Sequence, residues 1–166
     1  MTSIDRSTED VAEKTIRRWL VSEEVRRRLE QKSVKDAVGA FLTVSREHGA
    51  GGSEIARLVG KQLGWEVLDS ELLDVMAEKY GAPRDLLEHL DEKQVNWIEE
   101  TFAAWQKKQG LTQQAYVHRM SQLMLLAAHH GNVIIVGRGG RFVLPRERGL
   151  SVRIIAPLEF RAEQIM

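Results

Sequence analysis

The sequence predicts a three-layer α/β domain: a mainly parallel sheet with helices on both faces, preceded by an N-terminal helical arm. Three stretches carry that prediction. Phe41–Val44 is a short apolar run followed by a glycine-rich turn, a helix with Ile55, Leu58, Val59 and Leu63 on one edge, and a second short run, Trp65–Leu68. Strand, helix and strand in so few residues make a βαβ unit with a right-handed crossover. Asn132–Val136 is the most strand-like stretch, and the continuous apolarity of Val133–Val136 suits a central strand buried on both faces. Ser151–Ala156 supplies a further strand.

Taken in order, residues 1–37 form the arm. They hold no glycine or proline and are dense in both charge signs. Ser7-Thr8-Glu9-Asp10 has the pattern of a helix start, and Ala12, Ile16, Trp19 and Leu20 recur at helical spacing. Ser22-Glu23-Glu24 offers a second cap, with Val25 and Leu29 continuing the apolar edge. The reading is a solvated helix docked through one narrow stripe, with Arg26–Arg28 near its end, where positive charge suits the helix dipole. The alternation of acids with these bases argues against a surface for an anionic partner.

Residues 38–166 form the main domain. Gly64 stops its first helix. Between residues 70 and 130 the pattern is almost wholly helical. Leu72, Leu73, Val75 and Met76 open it, Gly81-Ala82-Pro83 interrupts it, and Leu86, Leu87, Leu90, Val95, Trp97, Ile98, Phe102 and Trp105 follow. The aromatic stripe at helical spacing reads as core rather than as a base-stacking platform. Gly110 breaks the run, Thr112 caps a last long helix, and Gly131 closes it after His129 and His130, which suit the helix end and need no metal. Pro157–Phe160 opens a helix that reaches Met166.

Composition narrows the function classes. Twenty-four basic residues balance twenty-four acidic ones, which argues against a general nucleic-acid coat. Without cysteine there is no disulfide framework, thiol nucleophile or thiolate metal site. No apolar run has the length of a membrane span, and MTSIDRSTED lacks the basic-then-apolar pattern of a secretory signal, so the expected compartment is the cytoplasm.

In an open parallel sheet, ligands bind beyond the carboxyl ends of the strands. Loops 45–53, 69–71 and 137–141 lie there, and two are rich in glycine. Glycine leaves backbone N–H groups open to a phosphate, and a helix starting at Ser53 aims its positive end at the same point. The alternative is a tight turn without a ligand. The Walker pattern is not met: with Ser53 as its hydroxyl, Gly52 stands where the lysine belongs and Arg46 where the first glycine belongs. Arg46 supplies a positive charge from the start of the loop, or else pairs with Glu47 or another acid.

The segments TVSREHGAGGSEIARLVGKQLGW, EVLDSELL, NVIIVGRGGRFVL and RIIAPLEFRAEQIM, in that order, resemble the cytidylate kinase-like family, in the nucleoside monophosphate kinase branch of P-loop folds. The resemblance covers roughly residues 41–166 and implies a lysine-less phosphate loop as a family trait. It implies that Gly49, Ala50, Gly51, Gly52 and Ser53 wrap the donor's phosphates, with Ser53 a magnesium ligand. Asp69 and Ser70 resemble a Leu-Asp-Ser stretch that meets the acceptor, although Asp69 equally suits a helix cap. Arg138 resembles the arginine of a Gly-Arg pair at the acceptor, but Gly139 stands where the family's following acid belongs.

The resemblance further implies ATP and Mg2+, phosphoryl transfer to CMP, dCMP or a related acceptor, and cationic roles for Arg46 and Arg138. Residues 71–110 would be the helical acceptor-binding insertion. The alternative function is a non-catalytic nucleotide-binding or interaction module with a degenerate P-loop. A kinase of this kind continues past Phe160 and Arg161 into an arginine-bearing lid and a further strand, whereas this sequence ends at Met166. The expectation is therefore weak binding and poor turnover by this chain alone, and association as a homo-oligomer or within a complex.

Overall fold

The computed structural model describes residues 6–30, 40–80 and 114–166. It divides the chain into two compact units, one formed by residues 1–37 with 71–126 and the other by 38–70 with 127–166. Pro83, the Leu86–Leu90 and Trp97–Trp105 stripes, Gly110 and Thr112 lie outside the described residues, as does most of the 71–110 segment.

In the first unit, helix α1 spans Arg6–Glu30 without a break. The cap expected at Ser22 is therefore not used: helical backbone continues through it, because nothing in Ser22-Glu23-Glu24 removes a backbone donor or demands a positive φ. Ala12, Thr15, Ile16 and Trp19 are buried along one stripe, as the periodicity predicts. Arg17 and Glu13 pair one turn apart on the exposed side at 2.7 Å. Helix α3, Ser70–Val75, runs into a π-helical turn, Met76–Tyr80, that packs against α1. Lys79 of that turn pairs with Glu9 at 2.5 Å. The Tyr116 hydroxyl donates to Asp74 at 2.6 Å.

The second unit holds the sheet. Its strands are β1 (Phe41–Arg46), β2 (Glu66–Leu68), β3 (Val133–Val136) and β4 (Gly149–Ile154), all parallel, in the order β2-β3-β1-β4. The two apolar runs therefore sit centrally, and β2 and β4 form the edges. Helix α2, Gly52–Leu63, returns the chain from β1 to β2 and ends on Gly64 in the left-handed region, with the Gly64 N–H donating to the Gly60 carbonyl. Leu42, Val44, Ala56, Ile134 and Val136 form the core under α2, with Val59, Trp65, Val67 and Ile154 packed around it.

Helix α4, Gln114–His130, begins in the first unit and finishes in the second, where Gly131 closes it at φ 82°. The short α5, Gly140–Val143, lies on the other face of the sheet: a Cβ at Gly140 would meet Ile135 and Thr43, whose side chains point away from α2. A 3-10 turn, Arg146–Arg148, leads into β4, and α6, Leu158–Glu163, follows it. A helix on each face of a parallel sheet makes three layers. None of the described helices is long and apolar enough to cross a membrane.

Candidate functional site

β1 is two residues longer than its apolar core, because Ser45 and Arg46 still pair with Arg153 and Ile154 of β4. Arg46 is thus the last strand residue and not the first loop residue, and a strand end is a firmer mount than a loop. Its side chain crosses the end of β3 toward β2. Nη2 donates to the hydroxyl of Ser70, the first residue of α3, at 3.3 Å. Two glycines make the passage. A Cβ on Gly52 would stand 2.5 Å from the Cβ of Arg46 and 2.8 Å from its Cγ, and a Cβ on Gly137 would collide with Nη1. The aliphatic stem therefore lies against Gly52 and the guanidinium against Gly137. This accounts for the missing lysine: the space at position 52 is filled by the arginine stem.

The loop after β1 is short and internally bonded. The Glu47 N–H donates to Ile154 at 3.1 Å, and the Ala50 N–H folds back to Glu47 at 3.1 Å. Gly51 caps α2 from the left-handed region, φ 71°, with its carbonyl accepting from Ile55 at 3.0 Å. A Cβ built on Gly51 meets nothing within 4 Å, so open space lies in front of it. Behind the loop, a Cβ on Gly49 would strike the Arg161 carbonyl oxygen at 2.5 Å, which braces the turn against α6. Ala50 is buried and Ser53 half-buried on the first turn of α2. The first N–H groups of any α-helix have no carbonyl partner within it, and the dipole adds positive potential there. Open space before Gly51 and the N–H groups that start α2 have the chemistry that phosphate oxygens need, and the Arg46 guanidinium lies further along the strand ends, at Gly137 and Ser70.

The turn after β3 has a different device. Gly137, Arg138 and Gly139 are successively left-handed, with φ of 81°, 45° and 74°. For an arginine this conformation costs about 1–2 kcal/mol, so the surrounding backbone must hold it. The Gly137 N–H donates to Val44 at 2.9 Å and the Gly140 N–H to Gly137 at 3.1 Å. The Arg138 side chain is exposed beyond the strand ends. Asp69, after β2, lies 3.6 Å from Arg57 of α2. Arg57 is largely exposed, so this pair is worth about 0–1 kcal/mol.

Sequence reasoning missed one element. The acid offered as a partner for Arg46, Glu47, instead faces Arg161 at 3.4 Å and Arg153 at 3.8 Å. The Arg161 Nε also donates to the Ala156 carbonyl at 3.1 Å, which orients it. More than a hundred residues separate Glu47 from these arginines, so no local spacing could have indicated the pairing. As for magnesium, the described residues contain no group of three His, Cys, Asp or Glu able to hold an ion. The Ser53 hydroxyl fits the role of a single protein ligand, since magnesium commonly takes most of its oxygens from substrate phosphates and water.

Residues 41–166 match the family model described as Cytidylate kinase-like family. The chain belongs to the cytidylate kinase-like family. The match begins at the first residue of β1 and includes all the described strands and both glycine turns. No curated protein matches the chain. Membership and the parallel sheet agree on a P-loop kinase-like fold and on a nucleotide-kinase-like, nucleotide-binding character. The four segments that carried the resemblance in the sequence all lie within the matched region.

Proposed function

We propose that the protein transfers a phosphoryl group from ATP to a nucleoside monophosphate, with CMP or dCMP the first acceptors to test. The observation that carries this reading is the passage of Arg46 past Gly52 to Gly137 and Ser70, which brings a guanidinium to the carboxyl ends of the strands beside two glycine turns. Phosphoryl transfer requires positioned cations and N–H donors around the transferring group more than it requires covalent chemistry. Magnesium, when bound, neutralises charge on the phosphates, and the Ser53 hydroxyl is the group that would hold it. Gly49, Ala50, Gly51, Gly52 and Ser53 bind the donor phosphates through backbone N–H groups. Arg46, steadied by Ser70, supplies the charge that lysine gives in Walker loops. Arg138 meets the acceptor from the neighbouring strand end, and Asp69 and Ser70 border the acceptor side. The γ-phosphoryl group passes from ATP to the acceptor's phosphate oxygen, which leaves ADP and a nucleoside diphosphate as products.

A second reading is a nucleotide-binding module without turnover. It draws on Gly139, which stands where an acid would help Arg138 read a base, and on Gly52, which stands where a Walker lysine belongs. A coupled assay for ADP with ATP, Mg2+ and CMP separates the two. ADP formation that requires CMP supports the kinase. Saturable ATP binding without CMP-dependent ADP supports the module, and absence of nucleotide binding overturns both.

A further inference from the structure

The face of the sheet opposite α2 carries a feature that the nucleotide site does not use. A cavity of about 240 Å³ opens there, lined by Ser45, Arg141, Arg146, Ser151, Val152 and Arg153. On the same measure one water needs about 10–15 Å³, so this is far more than a water-sized defect. Its position follows from register. Ser45 pairs with Arg153 and Thr43 with Ser151 across parallel strands, and paired residues share a face. Thr43 faces α5, so Ser45, Ser151 and Arg153 do too. Ser45 and Arg46, adjacent in sequence, therefore serve opposite sides of the sheet.

Three arginines line this cavity from three different elements: Arg141 from α5, Arg146 from the 3-10 turn and Arg153 from β4. No carboxylate is among its described lining residues. Among the described residues Arg153 meets Glu47 at 3.8 Å, an acid shared with Arg161 at 3.4 Å, and that separation is too long for a charge-assisted hydrogen bond. The Arg141 guanidinium carbon lies 4.7 Å from the centroid of the Phe142 ring, within cation–π range. The wall adds one oriented donor. Thr43 donates to the Ser151 oxygen at 2.8 Å, which leaves the Ser151 O–H to point elsewhere, while the Ser45 hydroxyl donates to the Val152 carbonyl at 3.2 Å. Clustered arginines repel one another unless an anion lies between them, and their planar forks match phosphoryl oxygens.

We propose that this cavity is a second anion site, separate from the nucleotide cradle, which takes the phosphoryl group of a small phosphate monoester. A monoester carries about −1.5 to −2 charge near neutrality, which three guanidinium groups balance. The volume beyond the phosphoryl group accommodates the ester portion. The site is formed wholly within the unit of residues 38–70 and 127–166, so its formation does not depend on the catalytic reading above.

The test follows backbone amide shifts by NMR in the whole chain, during titration with phenyl phosphate and, separately, with inorganic phosphate. Saturable shifts at Ser45, Arg141 and Ser151–Arg153 are expected with phenyl phosphate, binding at least as tightly as inorganic phosphate. Arg146→Gln with Arg153→Gln should weaken that binding by about tenfold or more, since each lost charge-assisted bond is worth on the order of a tenfold change. Both side chains are exposed, and circular dichroism checks that the variant is folded. Gly51→Ala, which alters the nucleotide cradle, should leave these shifts in place. Shifts confined to residues 47–53, unchanged affinity in the folded double variant, or phenyl phosphate binding more than about tenfold weaker than inorganic phosphate would each overturn the proposal.

Discussion

Arg46 is held at both ends of its side chain, by Gly52 against the stem and by Ser70 and Gly137 around the fork. A lysine there would keep the charge but lose the planar fork that reaches Ser70 while leaving other N–H groups for a phosphate. Arg46→Lys should therefore weaken ATP binding by about tenfold, and Arg46→Ala by more, as read by calorimetry on the folded variants. Equal affinities in all three proteins would remove Arg46 from the site. Gly51 sits at φ 71°, where a β-branched residue would be strained whatever the ligand does and alanine is strained less. Gly51→Ala should lower stability by about 1–2 kcal/mol and weaken nucleotide binding further, since its methyl enters the open space of the cradle. A thermal shift without any change in nucleotide affinity would assign Gly51 to the turn alone.

Among the elements, the central strands were the most legible. Phe41–Val44 and Val133–Val136 are apolar on both faces, a pattern that only burial between two layers satisfies. Gly64 and Gly131 likewise marked helix ends, because each needs the left-handed region that glycine enters freely. The extension of β1 through Arg46 was not legible, since its hydrogen bonds depend on where β4 lies and not on local hydropathy. The same holds for Glu47 and for the three arginines of the second cavity, which strand order brings together. Arg138 was singled out by its glycine neighbours, but its positive φ is visible only in the folded turn. β4 also carries a prediction at this scale. It pairs only with β1 among the described strands, and Leu150 is 64% exposed on it. Such an edge favours association, and a charge there blunts it. Sedimentation should show concentration-dependent self-association that Leu150→Lys reduces; identical behaviour of the two proteins would argue against an edge contact.

At the scale of the whole molecule, the chain passes between its two units more than once, at residues 37–38, 70–71 and 126–127. All the proposed phosphate and acceptor residues belong to the unit of residues 38–70 and 127–166. The N-terminal helix nevertheless does more than extend the chain. Trp19 is 2% exposed and Ala12 and Thr15 are fully buried, so the stripe is part of a core. Trp19→Ala should cost about 3–5 kcal/mol and lower the midpoint of thermal unfolding accordingly. A shift within error of wild type would return α1 to the status of a dispensable arm.

The contact between Gly52 and the stem of Arg46 also bears on how such a loop changes during evolution. A lysine at position 52 and an arginine at position 46 compete for one volume, so neither can be acquired while the other stays. The two solutions to phosphate binding are exclusive, and the path between them runs through a loop with neither cation. The expected signature is sign epistasis: Gly52→Lys alone damages folding and nucleotide binding, whereas the same substitution beside Arg46→Gly is tolerated and recovers binding. Additive effects of the two substitutions, measured as ATP affinity and thermal stability, would show that the passage can widen to hold both. A lineage that has adopted the arginine is thus held to glycine at 52 by steric exclusion before selection on catalysis acts, whereas at 137 the φ of 81° itself favours glycine.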